Sequence, residues 1–436
     1  MNEPNFAAWI ALDWAEQRHY WNMAIAATER REKGWLEHTP HAIDQWVARL
    51  EQRFAPSPVA VCLEQSRGPL VYQLAKYAHL VLYPVHPAMV ARYRAAFFPS
   101  GAKGDPEDAA LLLEILLHHR EHLRRLDPDT PETRLLGMLT EHRRKLVNER
   151  TRHSNRLTAW LKLYFPQPLD WIDDIDAPLG CALLQRWPTL QQLKAAPAET
   201  IRSFFVEHNC RSAQRIQQRI DAIAQSTAAV HDPALLEAGA TASLTLVALL
   251  ETLNSQITVL NDRIAELTPK HPEAYLFTGL PGAGPVLLPR LIAALGTHRE
   301  RFESAAELAA YSGIAPVSRQ SGQTKVVVFR RACPVFLRQT FQEFAARSKS
   351  KSAWARAFYQ LQIDRGKGHH AAVRALAFKW IRILFRCWKD RTPYDEAQYL
   401  RCLAQRNSPL IRSATAAECT DAPDNPLPEE DSDGAE

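Results

Sequence analysis

The sequence predicts an α/β domain followed by a long, mostly helical remainder, α/β plus α in class. Three observations predict it. Over roughly the first hundred residues, short apolar β-branched or alternating runs interleave with segments of helical periodicity. Two uninterrupted helical patterns then run from about Pro131 to Phe165 and from about Leu235 to Leu267. Beyond Leu276, amphipathic segments alternate with turns rich in Gly and Pro.

In chain order, "AAWIALDWA" reads as a strand ending near Asp13, and "RHYWNMAIAAT" as a second strand close enough to pair with it as a hairpin. "HAIDQWVARLEQRF" has helical spacing. "PVAVCLEQS" is a buried strand ending near Glu64, "GPLVYQLAKYA" a helix, and "HLVLYPVHP" another strand. A helix from Met89 to Phe97 and the loop "FPSGAKG" lead into "GDPEDAALLLEILLHH". There Asp105 suits the N-cap, Pro106 the first helical position, and Glu107 and Asp108 the first turn. Residues three apart also share a helix face, so Asp105 and Asp108 can equally point at one ion.

Asp13 and Glu64 at strand ends, with Asp105 and Asp108 heading a later helix, form an ordered set of four acids. Taken singly, each reads as a turn residue, a solvated strand end or a cap. Strand ends on one edge of an α/β sheet gather at one site. Converging carboxylates repel one another unless a cation neutralises them. An all-oxygen acidic site suits Mg²⁺ or Mn²⁺, and a pair of such ions clamps the oxygens of a phosphoryl displacement. This is the acidic arrangement of ribonuclease-H-like nucleases. His118 and His122 have ligand spacing but no acidic third partner in pattern, and read as helix-face histidines.

The two long helical patterns, with a smaller helical segment between them, predict an antiparallel coiled-coil arm. Leu135, Leu136, Leu139, Leu146, Leu157 and Leu161 supply a seam. Arg143, Arg144, Lys145 and Arg150, with Arg152 and Arg156, crowd the middle of the first helix. They are either a solvated face or a surface that tracks phosphates. In "LFTGLPGAGPVLLPRLIAALG", Gly282 and Gly284 make a turn between helices, either a plain tight turn or a helix-hairpin-helix whose amides hold a DNA phosphate. Leu287 stands where a dinucleotide-binding loop needs its third glycine. Further on, Ser318, Arg319, Ser321 and Lys325 cluster around Gly322 in a polar loop, with Arg330 and Arg331 shortly after. A serine among cations can attack a phosphodiester if something takes its proton. Most serines beside glycine only form turns.

The chain has 436 residues, 46% apolar and 23% charged, ordinary for a globular protein. Its net charge of +5 understates its basicity. From Ser413 to Glu436 there are eight acids and no Lys or Arg, which leaves +13 on the preceding 412 residues. Such an excess favours a polyanionic partner. The Pro-rich acidic tail reads as disordered. The seven cysteines form no CxxC pair, which fits a reducing cytosol rather than a disulfide framework. No apolar run of membrane-spanning length and no leader pattern is expected, so the expected location is cytoplasmic, at the nucleoid.

The whole order resembles the DEDD transposases of the insertion-sequence-110 type, which include bridge-RNA-guided recombinases and pilin-gene invertases. The residues that carry the resemblance are Asp13 in "IALDWA", Glu64 in "VCLEQS", Asp105 and Asp108 in "KGDPEDA", then "LPGAGP", "AAYSGIAP" and "RQSG". It runs from about residue 7 to 395, with a longer helical middle and tail than compact members have. It implies a RuvC-like catalytic domain over 1–126, a coiled-coil arm with a small helical insertion over 127–270, a transposase domain with a helix-hairpin-helix and serine loop over 271–400, and an acidic tail over 401–436. It also implies Mg²⁺ or Mn²⁺ at the four acids, a serine nucleophile in Ser321 with Ser318 as competitor, donor and target DNA, a structured guide RNA, and a homo-oligomer between dimer and tetramer. Other readings are a junction-resolvase-like nuclease that uses water, a site-specific invertase, or a non-enzymatic nucleic-acid scaffold.

Overall fold

The computed structural model describes residues 5–408 apart from 29, 65–67, 98–103 and 331, together with Leu410. The chain divides into two units, Met1–Asp129 and Thr130–Glu436. Of the residues singled out above, Arg331, most of the loop before Gly104 and the tail from 411 lie outside the described residues, as does the side chain of Lys325.

The first unit is a five-stranded sheet with helices on both faces. Its elements are β1 (Ala8–Asp13), β2 (Arg18–Ile25), β3 (Arg31–Glu37), α1 (Pro40–Phe54), β4 (Val59–Leu63), α2 (Pro69–Leu74), β5 (Leu80–Pro84), α3 (Pro87–Phe97) and α4 (Asp105–His118). The strand order is β3-β2-β1-β4-β5. The first three strands form an antiparallel meander, and β4 and β5 add in parallel to β1. Parallel strands need crossovers, which α1 and α2 provide. β4, "VAVCL", is buried along its whole length, as a strand covered on both faces should be.

Alternation along the strands sorts their residues between two cores. Ile10, Leu12, Val61 and Leu63 pack with α1 and α2 through Ile43, Trp46, Val47 and Leu70. Ala11, Ala60 and Cys62 pack on the opposite face with Leu111, Leu112, Ile115 and Leu116 of α4. Leu112 is fully buried there, so truncation to Ala should cost about 2–5 kcal/mol.

β3, "REKGWLE", is not anticipated by the sequence reading. It is an edge strand with only Leu36 buried, and its charges make it look like a loop.

The second unit is organised by two long helices, α5 (Pro131–Tyr164) and α11 (Pro233–Leu267). They run antiparallel. Leu136 shares a core with Ile264, Arg143 donates to Asn261, and the Tyr164 ring lies against Gly239, where any Cβ would come within 2.4 Å of it. At one end, α6 (Pro168–Trp171), α7 (Pro178–Arg186), α8 (Leu190–Ala195), α9 (Ala198–Glu207) and α10 (Ala213–Gln225) close a core with Leu157, Leu161, Val247 and Leu250.

At the other end lie α12 (Tyr275–Thr278), α13 (Gly284–Leu295), α14 (Ala305–Tyr311), the hairpin β6 (Val317–Ser321) and β7 (Thr324–Val328), α15 (Val335–Ser348), α16 (Ala353–Asp364), α17 (His369–Asp390) and α18 (Glu396–Gln405). Their core is centred on Trp354, Trp380 and Trp388. Each indole N–H donates inside it, to Tyr394 Oη, Ser348 Oγ and the Gly296 carbonyl respectively, so the rings add area without orphaning a donor. α18 continues past residue 401, where the acidic tail is expected to begin.

The absence of a spanning-length apolar run is corrected by the helical stretch Pro233–Lys270, which is long and apolar enough by length and composition, with a mean hydropathy of 1.6 in its most apolar window. Within it, Leu246, Val247, Leu250, Ile257 and Ile264 are buried.

Candidate functional site

Asp13 is the last residue of β1, and Glu64 follows β4 directly. Leu12 and Leu63 are register partners in the parallel pair, so the two acids leave the sheet side by side. Alternation puts them on the face occupied by Ala11 and Cys62, the face that α4 covers. Asp108 lies on the first turn of α4, one turn before Leu112 in that core, and is itself buried. Asp105 shares its helix face at three residues' spacing.

β1 and β4 thus carry Asp13 and Glu64 to one edge of the sheet, and the helix that covers that face carries Asp105 and Asp108 in its first turn. The acids do not assemble as a ligand cluster there: among the described residues, no three His, Cys, Asp or Glu side chains stand close enough to hold a metal. Asp108 is instead ion-paired with Arg94 of α3.

Asp105 is not the N-cap. That position is taken by Gly104, extended and without a side-chain cap; Asp105 is the first helical residue and Pro106 the second. The first turn carries Asp105, Glu107 and Asp108 against the positive end of the helix dipole, which favours all three. His118 closes α4 beside Glu114 at 3.1 Å, whereas His122 belongs to a separate short turn, so the two do not share a helix.

The loop expected around Gly322 is a β-hairpin. Ser318 pairs with Val327 and Ser321 with Thr324. Gly322 turns the chain at φ +57°, a left-handed conformation that suits glycine. Ser318, Arg319 and Ser321 are exposed, as is Arg330 beyond the ribbon.

In the Pro-Gly-x-Gly turn the two glycines have different surroundings. Gly282, φ +82°, abuts the backbone of Arg347 and Ser348, where a Cβ would meet carbonyl atoms at 2.9 Å. Gly284, φ +51°, has open space where a Cβ would stand, at the start of α13. The helix before this turn, α12, is a single turn long.

The basic stretch of α5 is partly engaged within the second unit. Arg143 donates to Asn261, Arg144 pairs with Glu343 at 3.1 Å, and Arg150 lies 3.6 Å from Asp176. Lys145 is exposed. Burial, and then the neighbouring Asp174, push the Asp176 carboxyl up to about 7.

A family profile for DEDD transposases of the IS110 type matches residues 10–166, and a second, described as the transposase IS116/IS110/IS902 family, matches residues 274–360. Together they span more than half of the chain, in the order the motifs require. The chain belongs to the IS110-type transposases. It is accordingly an enzyme, a DNA transposase.

Among its relatives is a Streptomyces coelicolor protein named for the transposase of the mini-circle IS117, 26% identical over 93% of this chain and 99% of its own length. The 43.6 kDa protein of insertion element IS110, from the same species, is 28% identical over 88% of this chain and 95% of its own. The 42 kDa protein of insertion element IS900 from Mycobacterium paratuberculosis is 26% identical over 71% and 77%. All four acids of the transposase fall in the first matched region. Gly282, Gly284, Ser318 and Ser321 fall in the second.

Sequence reasoning missed two polar pairs. His19 of β2 is fully buried; its Nδ1 accepts the Ala15 N–H at 3.2 Å, so its Nε2 carries the proton and lies 2.7 Å from His38 Nδ1. Ala15 lies in the turn directly after Asp13, so His19 fixes the segment that carries the first acid. Burial, and then His38, lower His19 to about 4, which keeps it neutral. The second pair, Arg290 with Glu343, is developed below. Neither has a signal in one sequence: a histidine in a strand and an arginine in an apolar helix look like exceptions until their partners are seen.

Proposed function

We propose that this transposase cleaves and exchanges DNA strands through the four acids Asp13, Glu64, Asp105 and Asp108 together with the serine Ser321. The observation that carries the reading is that β1, β4 and α4 deliver Asp13, Glu64 and Asp108 to one end and one face of the sheet. The order β3-β2-β1-β4-β5, a meander extended by parallel strands, supports a ribonuclease-H-like, RuvC-like domain.

The donor set is four hard oxygen ligands and suits Mg²⁺ or Mn²⁺. In this structure Asp108 is paired with Arg94, so a bound cation would take this carboxylate over from the guanidinium. When bound, the metal would supply Lewis-acid polarisation of a phosphoryl oxygen. The chain's own residues do the rest. Ser321, exposed at the hairpin tip, forms the new bond to phosphorus while the bond to the departing sugar oxygen breaks; the serine hydroxyl gives up its proton and the departing oxygen gains one from solvent, so the step is neutral overall. Arg319 and Arg330 oppose the charge that develops on the phosphoryl oxygens. Arg143, Arg144, Lys145 and Arg150, and the amides around Gly282 and Gly284, track the nucleic-acid backbone.

A structured guide RNA selects donor and target, and the protein works as a homo-oligomer. The exposed Val326 and Val327 of the ribbon support assembly, because adjoining exposed apolar side chains favour a covering surface. The test is strand exchange between donor and target DNA by purified wild type and Asp13→Asn, with sequencing of RNA that co-purifies. Exchange by wild type alone, with one structured RNA recovered, is expected. Equal exchange by both proteins would refute the acidic site, and the absence of any discrete RNA would refute guidance.

A further inference from the structure

We propose that Arg144 and Arg290 form a phosphate pocket in which Glu343 is a resident internal anion, and that a phosphate of the DNA backbone takes over these guanidiniums from Glu343 on binding. The proposal rests on the reading of α5 as a nucleic-acid surface and adds to it a built site and a competitor within the chain.

Glu343 of α15 is shared. Its Oε1 lies 3.1 Å from Arg144 of α5, and its Oε2 accepts from Nη1 of Arg290 on α13. Arg290 is 3% exposed, and its Nε donates to Thr340 Oγ1 at 3.2 Å. A guanidinium so deeply placed should have every N–H satisfied. Yet Nη2 of Arg290 and Nε of Arg144 have no hydrogen-bond partner among the described residues. Arg143 belongs to the same cluster. Burial, then the charges of Arg290, Arg144 and Arg150, hold it below its ordinary value, while Glu343 acts the other way.

Two guanidiniums therefore share one carboxylate, leaving an excess of positive charge and orphaned donors. A carboxylate offers two oxygens in one plane. A phosphodiester carries the same single charge on two non-bridging oxygens set on a tetrahedral centre, and arginine forks match both. The site opens to solvent through Arg144 and Glu343, whose side chains are 30% and 33% exposed, with Arg290 beneath them, so an anion enters where the Glu343 carboxylate now stands. Glu343 thus compensates Arg290 and Arg144 in the free protein and screens the site until a backbone phosphate arrives.

The test uses the full chain and a labelled duplex of about 30 base pairs, with affinity measured by anisotropy across a salt series. Glu343→Gln should tighten binding about three- to tenfold and steepen the log–log salt dependence by about 0.9, the value for one further neutralised phosphate. Glu199→Gln, the same charge change on the small helical insertion, should alter affinity less than about twofold, as expected of a distant screened charge. Arg144→Gln placed in the Glu343→Gln background should remove the gain.

Unchanged or weaker binding by Glu343→Gln, an equal gain in Glu199→Gln, or a gain that survives loss of Arg144 would each overturn the proposal. Thermal melting of wild type and Arg144→Gln in inorganic phosphate against chloride at equal ionic strength gives an independent arm that does not need the Glu343 variant to fold. Phosphate should stabilise wild type only, and no difference between the two proteins overturns the pocket. Stabilisation by phosphate without any duplex effect of Glu343→Gln overturns the DNA assignment and leaves a free-anion site. A gain confined to a hairpin RNA reassigns the backbone to RNA and likewise overturns it.

Discussion

Glu64 follows a strand buried along its whole length, and Asp108 opens a helix whose next turns lie in the core. Ser321 stands at the tip of a two-stranded ribbon exposed from Ser318 to Thr324. The acids are therefore held by packing that exists before any DNA arrives. The serine is held by one turn and a few ladder bonds. A hydroxyl on an exposed ribbon can reach a large, variable substrate, whereas ligands for a hard cation need fixed positions. The contrast teaches that the two regions tolerate change differently: the acidic edge through charge and core geometry, the ribbon through its backbone and, on the proposed function, the Ser321 hydroxyl.

The largest expected effect tests the first half. Asp13→Asn, Glu64→Gln, Asp105→Asn and Asp108→Asn should each lower strand exchange by more than about 100-fold, the scale on which loss of a metal ligand or transition-state charge partner acts. Asp108→Asn should also destabilise by about 1–3 kcal/mol, because Arg94 keeps a partner but loses the charge. Asp105→Asn should melt close to wild type, since Asp105 caps nothing with its side chain. Exchange assays beside thermal melts would separate the two aspartates, and near-wild-type exchange by any of the four breaks the comparison.

Next comes the histidine behind Asp13. His19 is lowered from an ordinary 6.5 to about 4, so on acidification the unfolded chain binds a proton first. Its contribution is complete above pH 6.5 and is lost as pH falls from there towards 4, by at most about 3 kcal/mol. His19→Asn, whose amide oxygen can still accept the Ala15 N–H, should flatten that slope. Denaturant melts from pH 4 to 7 would show it, and an unchanged slope in the variant would place the acid sensitivity elsewhere.

Two glycines sharpen the contrast at smaller scale. Gly282→Ala meets both a left-handed backbone and carbonyl atoms at 2.9 Å and should cost about 2–4 kcal/mol. Gly322→Ala meets only the left-handed backbone, with open space around it, and should cost about 1–2 kcal/mol. Similar losses in thermal melts would show that the Pro-Gly-x-Gly turn is no more tightly packed than the ribbon.

Much of this architecture was legible in the sequence. Buried strands such as "VAVCL" and helices of more than thirty residues write their periods plainly, and the acids could be placed because each ends or starts such an element. What was illegible follows from exposure and from tertiary pairing. β3 and the serine hairpin bury too little to show alternation, so both look like loops. Asp105 has the composition of a cap, but Gly104 already had the extended backbone the position needs. Arg144 and Arg290 converge on Glu343 from two other helices far apart in sequence, and no spacing rule connects them.

The account depends most directly on the claim that Ser321, not water, attacks the phosphodiester. Wild type, Ser321→Ala and Ser318→Ala would be incubated with a nicked suicide substrate that traps a covalent intermediate, and the adduct mapped by mass spectrometry. The account predicts a phosphoserine link at Ser321, its loss in Ser321→Ala with DNA binding retained, and most of the adduct kept in Ser318→Ala. A link at Ser318, or strand cleavage with no protein–DNA adduct at all, would contradict it.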